Sequence, residues 1–506
     1  MKDKIWFFGN RISLMVTLAI IFIAAMGIRL YDLTDLPLDF HPNRQLFSAL
    51  KARGLYYSML PESADVPAWQ REIAVSQWEN STTIEPPVME YLVALTSRLF
   101  GFHLWIARIY SSLFWLIGGL FLFLLAREIS STDAAVVALA FYLFLPYGII
   151  ASRSFQPDPL MIMLVIGGIW GMYNWRVRGT WKWALTAGLF NGAAIFIKNV
   201  AVFPLLGIAL ALIIERGFVI SLKDRKTWTV AILSALPAGL FLIYGTYIAG
   251  FLSQQFNFRF FPELWRDPAF YLRWKEQLDA ITGFTAVVLA LSGIFLAGKR
   301  SLAALLIGLW VGYFTYGMTF SYHITTHDYY NLPVIPIVAL SMTPLVGILA
   351  ERLTQMNLSI LPRVIFALGA ILIIVTHMWY ARVDLAQRDY RPDADFWWSL
   401  GEVLGHTNPA IGLTPDYGDR LAYWGWQDIS SWYYSEDLKL RELAGKEIDL
   451  QQRFERLIQG KCYFVVTQFS RFNDQPNIKQ RIIDNYPVYA QTSDYIIFQL
   501  APCPSQ

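Results

Sequence analysis

Long apolar runs recur along this chain, and they constrain its fold more than any single motif does. A helix that crosses a bilayer needs roughly 20 apolar residues. Runs at 12–31, 104–126, 133–151, 159–175, 183–197, 199–214, 229–249, 282–298, 302–320, 332–350 and 363–380 meet or approach that length, so hydropathy predicts about eleven spans. Of the 506 residues only 16% are charged, against about 25% in soluble chains. The fold class expected is therefore a polytopic α-helical membrane protein. The first run is too long for a signal-peptide core and is read as a retained span. A net charge of +3 offers no basis for binding nucleic acid.

Basic residues set the expected orientation. Placing the N-terminus in the cytoplasm puts Lys2, Lys4 and Arg11 inside, then Arg127, then Arg176, Arg178 and Lys182. Arg216, Lys223, Arg225 and Lys226 follow, then Lys299 and Arg300, then Arg352 and Arg363. Every predicted inside loop is basic, as the positive-inside rule requires. The 32–103 loop, the short turns at 152–158 and 321–331, the 250–281 loop and the tail then share the opposite compartment. The expected location is the plasma (inner) membrane, with the polar loops extracytoplasmic.

Two modules are expected. Residues 1–380 form the transmembrane part, including the 32–103 first outer loop. In that loop, residues 43–57 and 88–100 read as interfacial helices, the second opening after Glu85-Pro-Pro87 and ending at Gly101. Residues 381–506 have a soluble composition and read as a small α/β domain, with a helix from Asp393 to Leu404, a second over 450–459, and strands over 462–469 and 495–500. Cys462 and Cys503 both fall in it, on the outer side where disulfides persist, and are expected to pair.

Several polar groups stand where an apolar chain has little reason to keep them. Asp39, His41, Arg44 and Gln45 crowd the exit from the first span. Arg153 and Asp158 lie in a short turn between two apolar runs, Lys198 interrupts a long one, and His323, His327, Asp328, Tyr329 and Tyr330 form a polar turn. Each has a plain structural reading, as a cap, a snorkelling amine or an interfacial turn. Together they fall in one compartment, and ionisable groups at membrane depth are usually functional. Glu85 and His327 are the residues a divalent metal would use, although no fixed histidine spacing specifies a metal site.

The order of Glu85-Pro-Pro-Val-Met-Glu-Tyr-Leu92, Phe100-Gly101, Trp105-Ile-Ala-Arg108, Leu145-Pro146, Ser152-Arg153, Pro157-Asp158, Gly192 to Lys198, and His327-Asp-Tyr-Tyr-Asn-Leu-Pro-Val-Ile-Pro336 resembles a known family. It is similar to the GT-C membrane glycosyltransferases of the dolichyl-phosphate-mannose protein mannosyltransferase and lipid A aminoarabinose transferase type (glycosyltransferase family 39-like). The likeness covers about the first two-thirds of the chain. It implies transfer of a sugar from a polyprenyl-phosphate donor to an extracytoplasmic protein, lipid or glycan, with inversion and with a first-loop Asp as base. Asp39 is then the catalytic candidate. His41 stands two residues away, on the same side of an extended strand, to orient it. Arg44, Gln45, Glu85, Arg153, Asp158, Lys198, His327 and Tyr330 are the substrate-binding candidates, with Arg44, Arg153 and Lys198 as cations for the donor phosphate. The family's Asp-Glu pair before the loop helix is replaced here by Asn43-Arg44 or Arg44-Gln45.

Two other readings compete. One is a transporter or flippase of lipid or solute, which would favour internal repeats that are not visible here. The other is an inactive relative that binds lipid-linked sugars. The orientation is tested with a reporter fused after Gln506. A periplasm-active reporter is expected to work there and a cytoplasm-active one to fail. The reverse result overturns the topology.

Overall fold

The computed structural model describes residues 7–8, 10–252, 258–356, 360–446 and 448–503. Lys2 and Lys4 lie outside the described residues. The chain forms two compact units. The first comprises residues 1–33, 83–86 and 107–387, and the second residues 34–82, 87–106 and 388–506. This division differs from a boundary at residue 380, because most of the first outer loop packs with the C-terminal residues.

The first unit is helical. Among the described residues, eight helices are long and apolar enough to cross a membrane, or nine if one bent pair counts as a span. The expected count of about eleven included shorter runs that break. The 133–151 run is divided at Pro146 into Thr132–Phe144 and Pro146–Ala151, because proline cannot continue the hydrogen-bond ladder of a preceding helix. The 183–197 run is a 17-residue helix, Trp181–Ile197, that ends at Lys198 in extended backbone. The 282–298 run belongs to a pair, Pro268–Thr282 and Phe284–Phe295, bent by 94° at Gly283, whose φ of 76° suits a residue without a Cβ.

Small residues let these helices approach closely. Val202–Arg216 packs on Arg300–Thr319 through Gly207, Gly308 and Gly312, in the way membrane helices use glycine. A Cβ on Gly312 would lie 2.5 Å from the Phe203 carbonyl oxygen and 2.7 Å from the Pro204 Cα.

Buried guanidinium groups tie the ends of the helices together. Arg29 donates to Ser152 Oγ at 2.7 Å and to the Leu143 carbonyl at 3.0 Å. Arg153 donates to the carbonyls of Tyr31 and Asp32, at 2.7 and 2.9 Å. Arg108 reaches the carbonyls of Asp32 and Leu33.

In the second unit, the helix Pro42–Ser58 packs against Ala68–Glu79, Val88–Phe100 and Asp419–Trp424. The two loop helices read from the sequence are present, and Gly101 at φ 80° terminates the second. Ala68–Glu79 was not foreseen. The C-terminal residues form a five-stranded sheet of β1 (Ala410–Leu413), β2 (Ile429–Ser431), β3 (Tyr463–Val466), β4 (Val488–Gln491) and β5 (Ile496–Gln499). The order is β2-β1-β3-β5-β4, parallel from β2 to β3 and antiparallel beyond. Strands β1 and β3 are buried throughout, the pattern of strands covered on both faces. Asp393 lies in the first turn of Arg391–Leu404 rather than at its cap, where it accepts hydrogen bonds from Arg388 and Arg420. Cys462 and Cys503 pack in one apolar cluster but are free thiols, so the expected pair is not bonded. Burial, and then Cys503, push the Cys462 thiol up to about 12.

The glycine contact gives a direct test. Gly312→Val is expected to lower stability by ~1–3 kcal/mol through overpacking. Gly369→Ala, where an added Cβ meets nothing within 4 Å, is expected to be silent. Apparent melting temperatures of the two purified variants check this.

Candidate active site

In the first unit, three segments far apart in sequence converge on one ammonium group. Lys198 caps the end of Trp181–Ile197. Its Nζ lies 2.9 Å from both carboxylate oxygens of Asp158 and 3.8 Å from Glu85 Oε1. Asp158 opens the helix Asp158–Arg178, with Pro159 behind it, so its carboxylate also meets the positive end of that helix. The Lys198 and Asp158 side chains are only 8% and 2% exposed. Two such charges are tolerated out of water because each satisfies the other.

The cluster extends through aromatic rings. Lys198 Nζ lies 5.2 Å from the Tyr329 ring centroid and 5.8 Å from that of Tyr330, within cation–π range. Tyr330 in turn accepts a hydrogen bond through its hydroxyl from Arg259 at 3.0 Å. His323 stacks on Tyr330 and lies beside His327, with ring centroids 5.3 and 5.4 Å apart. Burial, then His327 and Arg259, hold the His323 imidazole down at about 3, so it stays neutral at physiological pH.

This geometry redistributes the roles expected from sequence. Arg153 is 1% exposed, and its guanidinium clamps the carbonyls that end the first helix. Two of its nitrogens are thereby engaged by main-chain oxygens. Lys198 remains in the cluster, but two carboxylates face its single ammonium. A group with that balance accepts hydrogen bonds from sugar hydroxyls more readily than it attracts a phosphate. Arg259 escaped the sequence reading. Its signal is its partner, Tyr330, 71 residues away. His327 belongs to the same cluster, where its Nδ1 meets Thr326 Oγ1 at 2.8 Å. Glu85 and His327 join no group of three metal-ligating side chains among the described residues.

The remaining candidates lie in the second unit. His41 precedes the helix Pro42–Ser58 with φ 43°, a left-handed conformation that non-glycine residues rarely adopt, and its ring meets Phe40 edge-on at 4.6 Å. Gln45 is fully buried. Its Nε2 donates to the Phe40 carbonyl at 2.6 Å and to Asp39 Oδ1 at 3.3 Å. Gln45 therefore holds the Asp39 turn in shape. Asp39 and Arg44 are half-buried.

Removing Lys198 would leave Asp158 buried and unbalanced. Lys198→Met is expected to cost ~3–5 kcal/mol of stability, with partial recovery in Lys198→Met/Asp158→Leu. Thermal unfolding of both variants in the same detergent checks this, and equal melting of Lys198→Met and the unsubstituted protein would refute it.

Residues 84–244 match the family model described as dolichyl-phosphate-mannose-protein mannosyltransferase. No curated protein matches the chain in sequence. Among solved structures, the chain is similar to ArnT from Cupriavidus metallidurans bound to undecaprenyl phosphate, with TM-score 0.60 and 15% identity over 96% of this chain and 97% of that one. It is also similar to the oligosaccharyltransferase AglB from Archaeoglobus fulgidus, in complex with an inhibitory peptide and a dolichol-phosphate, with TM-score 0.53 and 13% identity over 89% of this chain and 69% of that one. At these identities the likeness is one of fold. The helical architecture with several apolar spans and a small C-terminal sheet domain, expected from the sequence, is observed, and its fold is like that of these two structures.

Proposed function

We propose that this chain, a multi-pass membrane protein of the GT-C protein mannosyltransferase and aminoarabinose transferase type, transfers a sugar from a polyprenyl-phosphate donor to an extracytoplasmic protein, lipid or glycan, with inversion. The observation that carries the reading is the convergence of the buried Asp158 and Lys198 with the half-buried Glu85, all within the matched residues 84–244, into one charged cluster. A purely structural chain gains little from burying an ion pair beside a further carboxylate in an apolar helical unit.

In the proposed reaction an acceptor hydroxyl attacks the anomeric carbon. The new C–O bond forms as the bond to the phosphate oxygen breaks, and the polyprenyl phosphate leaves with the electron pair. The hydroxyl proton passes to the Asp39 carboxylate, acting as general base. His41 and Gln45 position that carboxylate. The leaving phosphate needs a cation. Arg259, fixed by Tyr330, suits this role better than the carboxylate-matched Lys198, and Arg44 is the other candidate. Asp158 and Glu85 take hydroxyls of the donor sugar.

One observation favours a second reading, binding of lipid-linked sugar without transfer. Asn43-Arg44-Gln45 stands where the family resemblance calls for an acidic pair, and Gln45 is committed to the Asp39 turn. The same experiment separates the two. Asp39→Asn is expected to lower turnover by roughly 10²–10⁴-fold while binding of the polyprenyl-phosphate sugar survives. Arg259→Ala is expected to weaken that binding. Full transfer by purified Asp39→Asn would refute the base, and saturable donor binding with no transfer by the unsubstituted protein would select the second reading.

A further inference from the structure

A cavity of 410 Å³ lies wholly within the second unit, and none of the residues assigned to transfer above lines it. Its volume falls in the range of small-molecule sites, roughly 300–1,000 Å³. Its walls are aromatic: Tyr57 and Phe102 from the first outer loop, and Trp398, Tyr423, Trp424 and Trp426 from the C-terminal residues. Two charged side chains complete it, Arg53 and the exposed Asp395.

Three features mark this cavity as built. Trp426 has φ 49°, a conformation that costs a bulky residue on the order of 1–3 kcal/mol and that clusters at functional sites. The rings are held in place from behind. His406 stacks on Trp69 at 4.8 Å and lies 5.1 Å from Trp398, Trp69 meets Trp426 at 6.0 Å, and His406 Nδ1 is fixed 2.7 Å from the Gly425 carbonyl oxygen. Arg53 is 3% exposed, and its Nε–H has no acceptor among the described residues. A buried donor left in that state calls for a water or a ligand oxygen nearby.

The chemistry selects the ligand. The Arg53 guanidinium already lies 3.8 Å from the Trp426 ring centroid and 4.5 Å from that of Tyr423, so those faces do not serve as a cage for a second cation. Its terminal nitrogens donate to the Tyr423 and Ala422 carbonyls and to Gln77 Oε1, so it does not recruit an anion. What remains is a set of electron-rich ring faces beside one exposed carboxylate acceptor. A neutral pyranose presents polarised C–H groups on its face, which suit aromatic rings, and hydroxyl donors on its edge, which suit Asp395.

We infer that this cavity is a saccharide-binding site, distinct from the transfer centre, that holds a neutral sugar unit. Its choice of ligand class rests on the glycosyl-transfer reading, so the test measures binding without turnover. The full chain is reconstituted in phosphatidylcholine nanodiscs, which avoids sugar-headed detergents. It is titrated with the methyl glycosides of glucose, galactose, mannose and N-acetylglucosamine and with cellobiose and lactose. Tryptophan fluorescence and saturation-transfer NMR report binding. At least one sugar is expected to saturate, with Kd on the order of 1 mM, and equally well in Asp39→Asn. Trp398→Ala and the solvent-exposed Asp395→Asn, which leaves the aromatic packing intact, are each expected to weaken it by about 10-fold or more. Three results would overturn the inference. They are no saturation by any of the sugars, binding unaltered in both variants, or quenching of these tryptophans by brominated lipid without any response to sugar.

Discussion

The exit of the chain from its first helix is held by two buried arginines, and much else depends on that grip. Arg153 and Arg108 direct their guanidinium groups at the carbonyls of Tyr31, Asp32 and Leu33. These carbonyls lie in the turn just past the helix Arg11–Arg29 and its cap Leu30, where no helical ladder supplies donors. In an apolar unit water cannot readily satisfy them, so charged donors do. Asp32 accepts from both arginines while holding φ 47°, which turns the backbone sharply. Asp39 follows seven residues later, so the first loop starts from a fixed point. The same arrangement explains why arginine is required here. Only a planar fork with several donors reaches two consecutive carbonyls at once.

What could be read from the sequence follows the range of each interaction. The helix Val88–Phe100 was legible because its start, its apolar spacing and its Gly101 stop are all local. Strands β3 and β5 were legible as β-branched and aromatic runs. Strand β1 was not, since Ala410–Leu413 contains a glycine and becomes a strand only by pairing with β2 and β3 on either side. Ala68–Glu79 carries no side-chain cap and little amphipathic pattern, and its place comes from packing on Pro42–Ser58.

The candidate site divides in the same way. Asp158 and Lys198 stand out in the sequence by their apolar surroundings, but their bond to each other across 40 positions does not. The main-chain partners of Arg153 and Gln45 could not be read either, because backbone carbonyls leave no mark in a sequence. Arg259 looked like one charge in a mixed loop until Tyr330 was seen to hold it.

The right-angled pair Pro268–Thr282 and Phe284–Phe295 has a mechanical meaning. Two limbs at 94° cannot both follow the bilayer normal. If the apolar limb does, the other, which carries Arg273, Lys275, Glu276 and Asp279, runs along the plane of the lipid headgroups. From that limb Trp274 donates to the Tyr313 hydroxyl at 3.1 Å and to Asn331 Oδ1 at 3.3 Å, and Asn331 adjoins Tyr330. The elbow thus links the charged limb, through Trp274 and Asn331, to the tyrosine that holds Arg259.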